Sequence, residues 1–173
     1  NVNVLWNRDQ SYYDQDSWRG TKKMDGGALM NQTIHFIDLI IWLFGSAKKI
    51  QIMRSRLARK IETEDTACIN MLFKKNILCS ISSTMLVDQE NYEGSITIIA
   101  ENGTIKIGGI ALNEIIKWNI NKKEMSIKEK KKINYNLKSV YGSGHKYIYQ
   151  EIYKLLNNKK SEAIMGSDGI MSV

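Results

Sequence analysis

The stretch from Ala28 to Phe44 has no proline or glycine and is built mostly from good helix formers, so it constrains the fold more than any other segment. Asp25 can cap its start, Gly26 and Gly27 make a tight turn into it, and Gly45 stops it. The reading is one buried helix. Leu29, Ile34, Phe36, Ile37, Ile40, Ile41 and Phe44 spread over most of its surface, as expected of a helix covered on several sides.

The polar residues of this helix are not scattered. Asn31, His35, Asp38 and Trp42 recur at helical spacing and fall on one face, with Gln32 flanking the line. A buried polar group without a partner costs on the order of 1–3 kcal/mol, so the row needs a reason. Two readings fit. His35 and Asp38 can satisfy each other in a structural network. Alternatively the row is a site, in which a carboxylate fixes the histidine tautomer and the other ring nitrogen faces a substrate.

After Gly45 the period changes from helical to extended. Segments rich in Ile, Val, Thr and aromatics run over Lys48–Ala58, Thr66–Phe73, Ile77–Val87, Ser95–Ala100, Thr104–Ile107 and Asn113–Ile120, after a first short strand over Asn3–Arg8. Asn102-Gly103 predicts a type I′ turn, and Lys75-Asn76 a two-residue hairpin turn. Short connections make neighbouring strands antiparallel. The run from Ser95 to Ala100 is apolar on both sides, which predicts helices on one sheet face and a partner subunit on the other.

Asp9 to Lys23 reads as a polar loop holding Tyr12, Tyr13 and Trp18, the composition of a binding loop. Ser126 to Leu137 reads as a lysine-rich strand or loop. His145 to Asn157 reads as a second helix whose apolar stripe packs on the sheet beside the first, with His145 at its amino-terminal edge as a cap or exposed residue. The fold class is therefore α+β, a large, mainly antiparallel open sheet with helices on one face, over a single domain 1–173.

Composition narrows the function classes. A formal charge of +7 raises the question of nucleic acid, but the excess is lysine, and the run Lys128–Lys132 contains Glu129 and no stacking aromatics. No nucleic-acid partner is expected. The longest apolar run, Phe36–Phe44, is interrupted by Asp38 and too short to span a bilayer, and no signal or lipidation motif is visible. Cys68 and Cys79 match no zinc pattern, and the Lys75-Asn76 turn would leave them roughly 13 Å apart along the ladder. Two reduced thiols, no metal and a cytoplasmic protein are expected.

The order W-R-G-x5-G-G-A-L-M-N-Q-x2-H-x2-D followed by W-L-F-G, with R-x3-Y-Y upstream at Arg8, Tyr12 and Tyr13, resembles the carboxy-terminal domain of the glucose-fructose oxidoreductase and inositol dehydrogenase (Gfo/Idh/MocA) family. It is most similar to dehydrogenases of nucleotide-linked sugars such as UDP-N-acetylglucosaminuronate. Many relatives have Asp four residues before the histidine; here that position is Asn31.

The resemblance implies a substrate-binding and oligomerisation domain of a two-domain enzyme that moves a hydride from a sugar carbon to NAD or NADP. His35 would be the catalytic acid/base, with Asp38 holding its ring. Arg8, Tyr12, Tyr13, Trp18, Arg19, Asn31 and Gln32 would bind the sugar, its carboxylate or its diphosphate. No G-x-G-x-x-G or Walker sequence occurs, so an upstream Rossmann domain would hold the cofactor and supply a catalytic lysine. The chain alone is then expected to be inactive, to bind NAD(H) no more tightly than about millimolar, and to form dimers or tetramers through the sheet. The segment Ser161–Val173 resembles the start of a family helix that is cut short here. The alternatives are a relative acting on a free sugar or polyol, and a non-catalytic sheet-forming dimerisation module.

Overall fold

Alternation at a period of two puts Ala67, Ile69 and Met71 of one strand and Cys79, Ile81 and Ser83 of the next on one covered face, with Cys68, Asn70, Leu78 and Ser80 on the other. A computed structural model describes residues 1–109, 111–134 and 144–173. The strands are β1 (Val2–Leu5), β2 (Lys49–Ser55), β3 (Thr66–Leu72), β4 (Leu78–Thr84), β5 (Glu93–Ala100), β6 (Gly103–Gly108), β7 (Glu114–Ile120) and β8 (Lys123–Glu124). They form one sheet in the order β2-β3-β4-β1-β5-β6-β7-β8. β1 runs parallel to β4, and every other pairing among the described strands is antiparallel.

Helix α1 (Gln10–Asp14) follows β1, and α2 (Ile34–Phe44) crosses the covered face. Phe36 and Ile40 of α2 join Val2, Val4, Ile69, Ile81 and Ile96 in the core, and Phe44 tilts against Phe73 at 5.9 Å. Burying such side chains is worth roughly 1.5–3 kcal/mol each, which fixes the helix on the sheet. Gly45 ends α2 with φ +77°, its N–H donating to the Ile41 carbonyl at 2.7 Å.

Several expectations are corrected. The helix is not buried all round: His35, Asp38 and Trp42 are exposed, and Trp42 is 77% accessible. Leu29–Thr33 is a wider π turn that leads into α2, so Asn31 does not stack directly above His35. Asp25 does not cap this helix. The Glu64 carboxyl, from the β2–β3 connection, accepts the Leu29 N–H at 3.1 Å instead. Within the supposed loop after Asp9, α1 forms because the Asp9 side chain accepts the Tyr12 N–H at 2.9 Å.

The turns also differ. Ala100 pairs with Gly103, so the β5–β6 turn is Glu101-Asn102, and neither residue is left-handed. Gly103 is instead the first residue of β6, where a Cβ would meet the Asn119 carbonyl at 2.8 Å. Lys75 and Asn76 lie in the turn and are left-handed, but Leu72 pairs with Leu78, one residue out of the predicted register. That slip puts Cys68 and Cys79 on opposite faces, and both are free.

The lysine-rich segment contains helix α3 (Ile127–Ile133), started by a capping box between Ser126 and Glu129; residues 135–137 lie outside the described ones. Helix α4 (His145–Leu156) forms as predicted but does not pack on the sheet. None of its residues is buried, because no complementary surface among the described residues meets its apolar stripe. His145 is exposed. Within the segment expected to begin a longer helix, α5 (Gly166–Gly169) and a 3₁₀ turn over Ile170–Ser172 form, and the latter contacts α2. On the open sheet face β5 is mixed: Ile99 is exposed there, whereas Ser95 and Glu93 are polar.

Candidate functional site

The residues singled out in the sequence meet where α1, the Trp18–Gly20 loop and the π turn converge. Gly26 and Gly27 have φ of +73° and +83°, and a Cβ on Gly27 would meet Glu64 Oε1 at 2.5 Å. This tight approach lets Glu64 hold the helix start from above. Asp25, just before it, is buried; it accepts the Gly20 N–H at 2.7 Å and the Asn31 side-chain amide. One carboxyl group thus ties the W-R-G loop to the first turn of the helix.

From Asn31 the network continues outward. Gln32, itself buried, donates through Nε2 to Asn31 Oδ1 at 3.0 Å and to the Tyr12 hydroxyl at 3.4 Å. The Arg19 guanidinium lies 4.3 Å from the Tyr12 ring centroid and that of Arg8 lies 5.2 Å away. Arg19 also lies 5.5 Å from the Trp18 ring, donates to the Tyr12 carbonyl at 2.9 Å and pairs with Asp16 at 2.9 Å. Arg8 is held by the Asn7 carbonyl and by Asn91 Oδ1. Cation–π contacts of this kind contribute about 0.5–1 kcal/mol where exposed and more when desolvated.

Tyr13 stacks edge-on to Tyr12 at 5.1 Å but points inward. Burial pushes its phenol up to about 12, with the Asp25 and Tyr12 charges acting the same way. Its hydroxyl is therefore protonated at neutral pH and serves the core side of the cluster.

His35 stands on the exposed face at the start of α2 and has no hydrogen-bond partner among the described residues. Asp38 does not reach it. Asp38 instead accepts the Ser172 hydroxyl at 2.5 Å. The expected His35–Asp38 pair is absent among the described residues because both side chains lie in solvent, where nothing forces them to satisfy each other. The structure thus brings together Arg8, Tyr12, Tyr13, Trp18, Arg19, Asn31 and Gln32, while His35 stands exposed at the start of α2 and makes no contact that joins it to them among the described residues.

Sequence reasoning missed the two carboxyls that build the cluster, Asp25 in its joining role and Glu64. No local pattern marks Glu64, because its partner Leu29 lies 35 residues away in the chain. Among the described residues no group of three or more His, Cys, Asp or Glu could hold a metal ion, and no helix is long and apolar enough to cross a membrane.

A mainly antiparallel open sheet with one helix crossing its covered face places the molecule in the class of α+β domains. More particularly, the chain belongs to the GFO/IDH/MocA C-terminal domain family, whose model matches residues 1–106. Solved relatives include the WlbA dehydrogenase from Bordetella pertussis in complex with NADH and UDP-GlcNAcA, 39% identical with TM-score 0.89 over 99% of this chain and 49% of that one. The WlbA enzyme from Chromobacterium violaceum, in complex with the same two molecules, is also 39% identical with TM-score 0.86, covering 99% of this chain and 48% of that one. A levoglucosan dehydrogenase in complex with NADH shares the fold, with TM-score 0.74 at 16% identity over 99% of this chain and 52% of that one. The chain spans about half the length of these structures. Among curated protein sequences none matches.

Proposed function

We propose that this chain is the substrate-binding half of an NAD-dependent oxidoreductase that oxidises a hydroxyl of a nucleotide-linked sugar. The observation that carries the reading is the joined set Arg8, Tyr12, Arg19, Asn31 and Gln32 at the start of the helix that carries the exposed His35. The 39% identity to dehydrogenases solved with NADH and UDP-GlcNAcA supports it. No G-x-G-x-x-G sequence occurs in the chain to hold a dinucleotide, so the cofactor would be held by a second, Rossmann-type domain. The nicotinamide, when bound, supplies the hydride acceptor.

The work of this chain is then to orient the sugar and move a proton. Asn31 and Gln32, fixed by Asp25 and Tyr12, hold sugar hydroxyls. Arg8 and Arg19, stacked on Tyr12, offer guanidinium N–H donors to a carboxylate or phosphate. His35 takes the hydroxyl proton as the carbon loses its hydride. In the full-length enzyme His35→Asn lowers turnover roughly 10²-fold to 10⁴-fold and leaves the melting temperature unchanged, since the ring is exposed. Intact turnover with a large loss of stability would assign His35 to the fold.

The open sheet face carries exposed Met53, Leu78 and Ile99, and we assign it to a second copy of the chain. Sedimentation at about 50 μM, within the range of ordinary subunit affinities, should give a dimer or tetramer. A monomer at that concentration removes the assignment.

A further inference from the structure

The β2–β3 connection brings a second set of cations to the edge of the cluster. Asp65, fully buried beneath it, accepts the backbone N–H groups of Leu57, Ala58 and Arg59 at 2.9–3.1 Å and so fixes the loop. Lys60 N–H donates to Gln10 Oε1 of α1 at 2.8 Å. Arg59 Nη2 and the Arg8 N–H share the Met85 carbonyl, at 3.4 and 3.0 Å. The loop is therefore attached to the same elements that carry the candidate site.

Between them lies a cleft of about 550 Å³, lined by Arg19, Arg56, Arg59 and Lys60 against a single acid, Glu62. Glu62 already accepts the Lys22 N–H at 3.0 Å. Neither Arg56 nor Arg59 has a carboxylate at ion-pair distance among the described residues, in contrast to Arg54, which pairs with Glu64 at 3.4 Å. The Nε atoms of Arg8, Arg19 and Arg59 are buried and have no hydrogen-bond partner among the described residues. Two of these arginines, Arg19 and Arg59, line the cleft, and a buried donor left unmade is costly, so the patch calls for oxygen acceptors.

We infer that Arg56 and Arg59, with Lys60 and Arg19, bind the diphosphate of the nucleotide-linked substrate. This rests on the function proposed above and adds residues to its site. A diphosphate offers acceptors in several directions over a few ångströms, which suits forked guanidiniums from two elements better than a single carboxylate does.

The test uses the protein encoded by the complete reading frame that contains this chain. Calorimetric titrations with UDP, uridine and NADH compare the wild type with Arg59→Gln, Arg59→Lys and the Arg56→Gln/Arg59→Gln double variant. UDP binding should weaken roughly 10-fold to 100-fold in the glutamine variants, less in Arg59→Lys, with uridine and NADH unaffected. The dependence of UDP affinity on salt should also flatten in the double variant. Unchanged UDP affinity in folded variants overturns the inference and leaves the nucleotide-sugar reading standing. A wild type that binds no UDP removes that reading and the inference with it. Weakened NADH binding at constant UDP affinity would give the arginines to the cofactor and overturn the inference.

Discussion

The sheet with its crossing helix and the segment 144–173 carry similar apolar side chains and put them in opposite places. Val4, Phe73 and Met85 are wholly inaccessible, whereas Ile148, Tyr149 and Leu156 on α4 are 54%, 69% and 77% exposed. Both regions have the periodicity their secondary structure requires. The difference is that β1, β3 and β4 face α2 across a shared surface, while α4 meets none among the described residues. An amphipathic pattern tells a segment what to form and which side is sticky. It does not supply the surface that covers it.

The contrast can be broken most directly at Phe73, where the core closes against Phe44. Phe73→Ala should cost about 3–5 kcal/mol in denaturant unfolding through lost burial and a cavity. A loss below 1 kcal/mol would mean the core is not where stability resides.

Asp65 gives a smaller and pH-dependent effect. Burial acts upward on its carboxyl, but hydrogen bonds from Arg59, Ala58 and Leu57 outweigh it and hold the group below its ordinary 3.8. Its contribution is thus fully present above that value and is lost as pH falls through the depressed folded value. Asp65→Asn should cost on the order of 2 kcal/mol at neutral pH and flatten the acid limb of the stability curve, measured by unfolding between pH 2 and 7. An unchanged acid limb would remove the carboxylate from the account.

At the other extreme Ile152→Ser on α4 should change stability by no more than about 0.5 kcal/mol, since the side chain is exposed. Hydrogen exchange sharpens the same point, with α4 amides exchanging faster than those of β3 and β4. A large loss at Ile152 in the full-length protein would show that another surface covers the stripe there.

What was legible in the sequence follows the same division. The alternation of β3 and β4, the stop at Gly45 and the gathering of Arg8, Tyr12, Arg19, Asn31 and Gln32 are local patterns or parts of one motif. Glu64 as the helix cap was not legible, because it reaches Leu29 across 35 residues of chain. The β3–β4 register failed by one because the left-handed Lys75 and Asn76 sit inside a longer turn than the two-residue one assumed. The Ser126-x-x-Glu129 box was legible and was overlooked behind the lysines. Exposure of His35 and Asp38 depends on what α2 does not touch, which no helical wheel contains.

The position of β1 has a consequence in time. It is made before the other strands of this sheet, yet it lies in the middle of it, parallel to β4 on one side and antiparallel to β5 on the other, where Asn3 bonds Glu93 across 90 residues of chain. A chain emerging at about 5–20 residues per second can zip β2, β3 and β4 and draw β1 alongside before β5 exists. For on the order of a second the partly made sheet ends on a bare β1 edge rich in unpaired backbone donors and acceptors. The nascent domain is most exposed to wrong partners at what will become its centre.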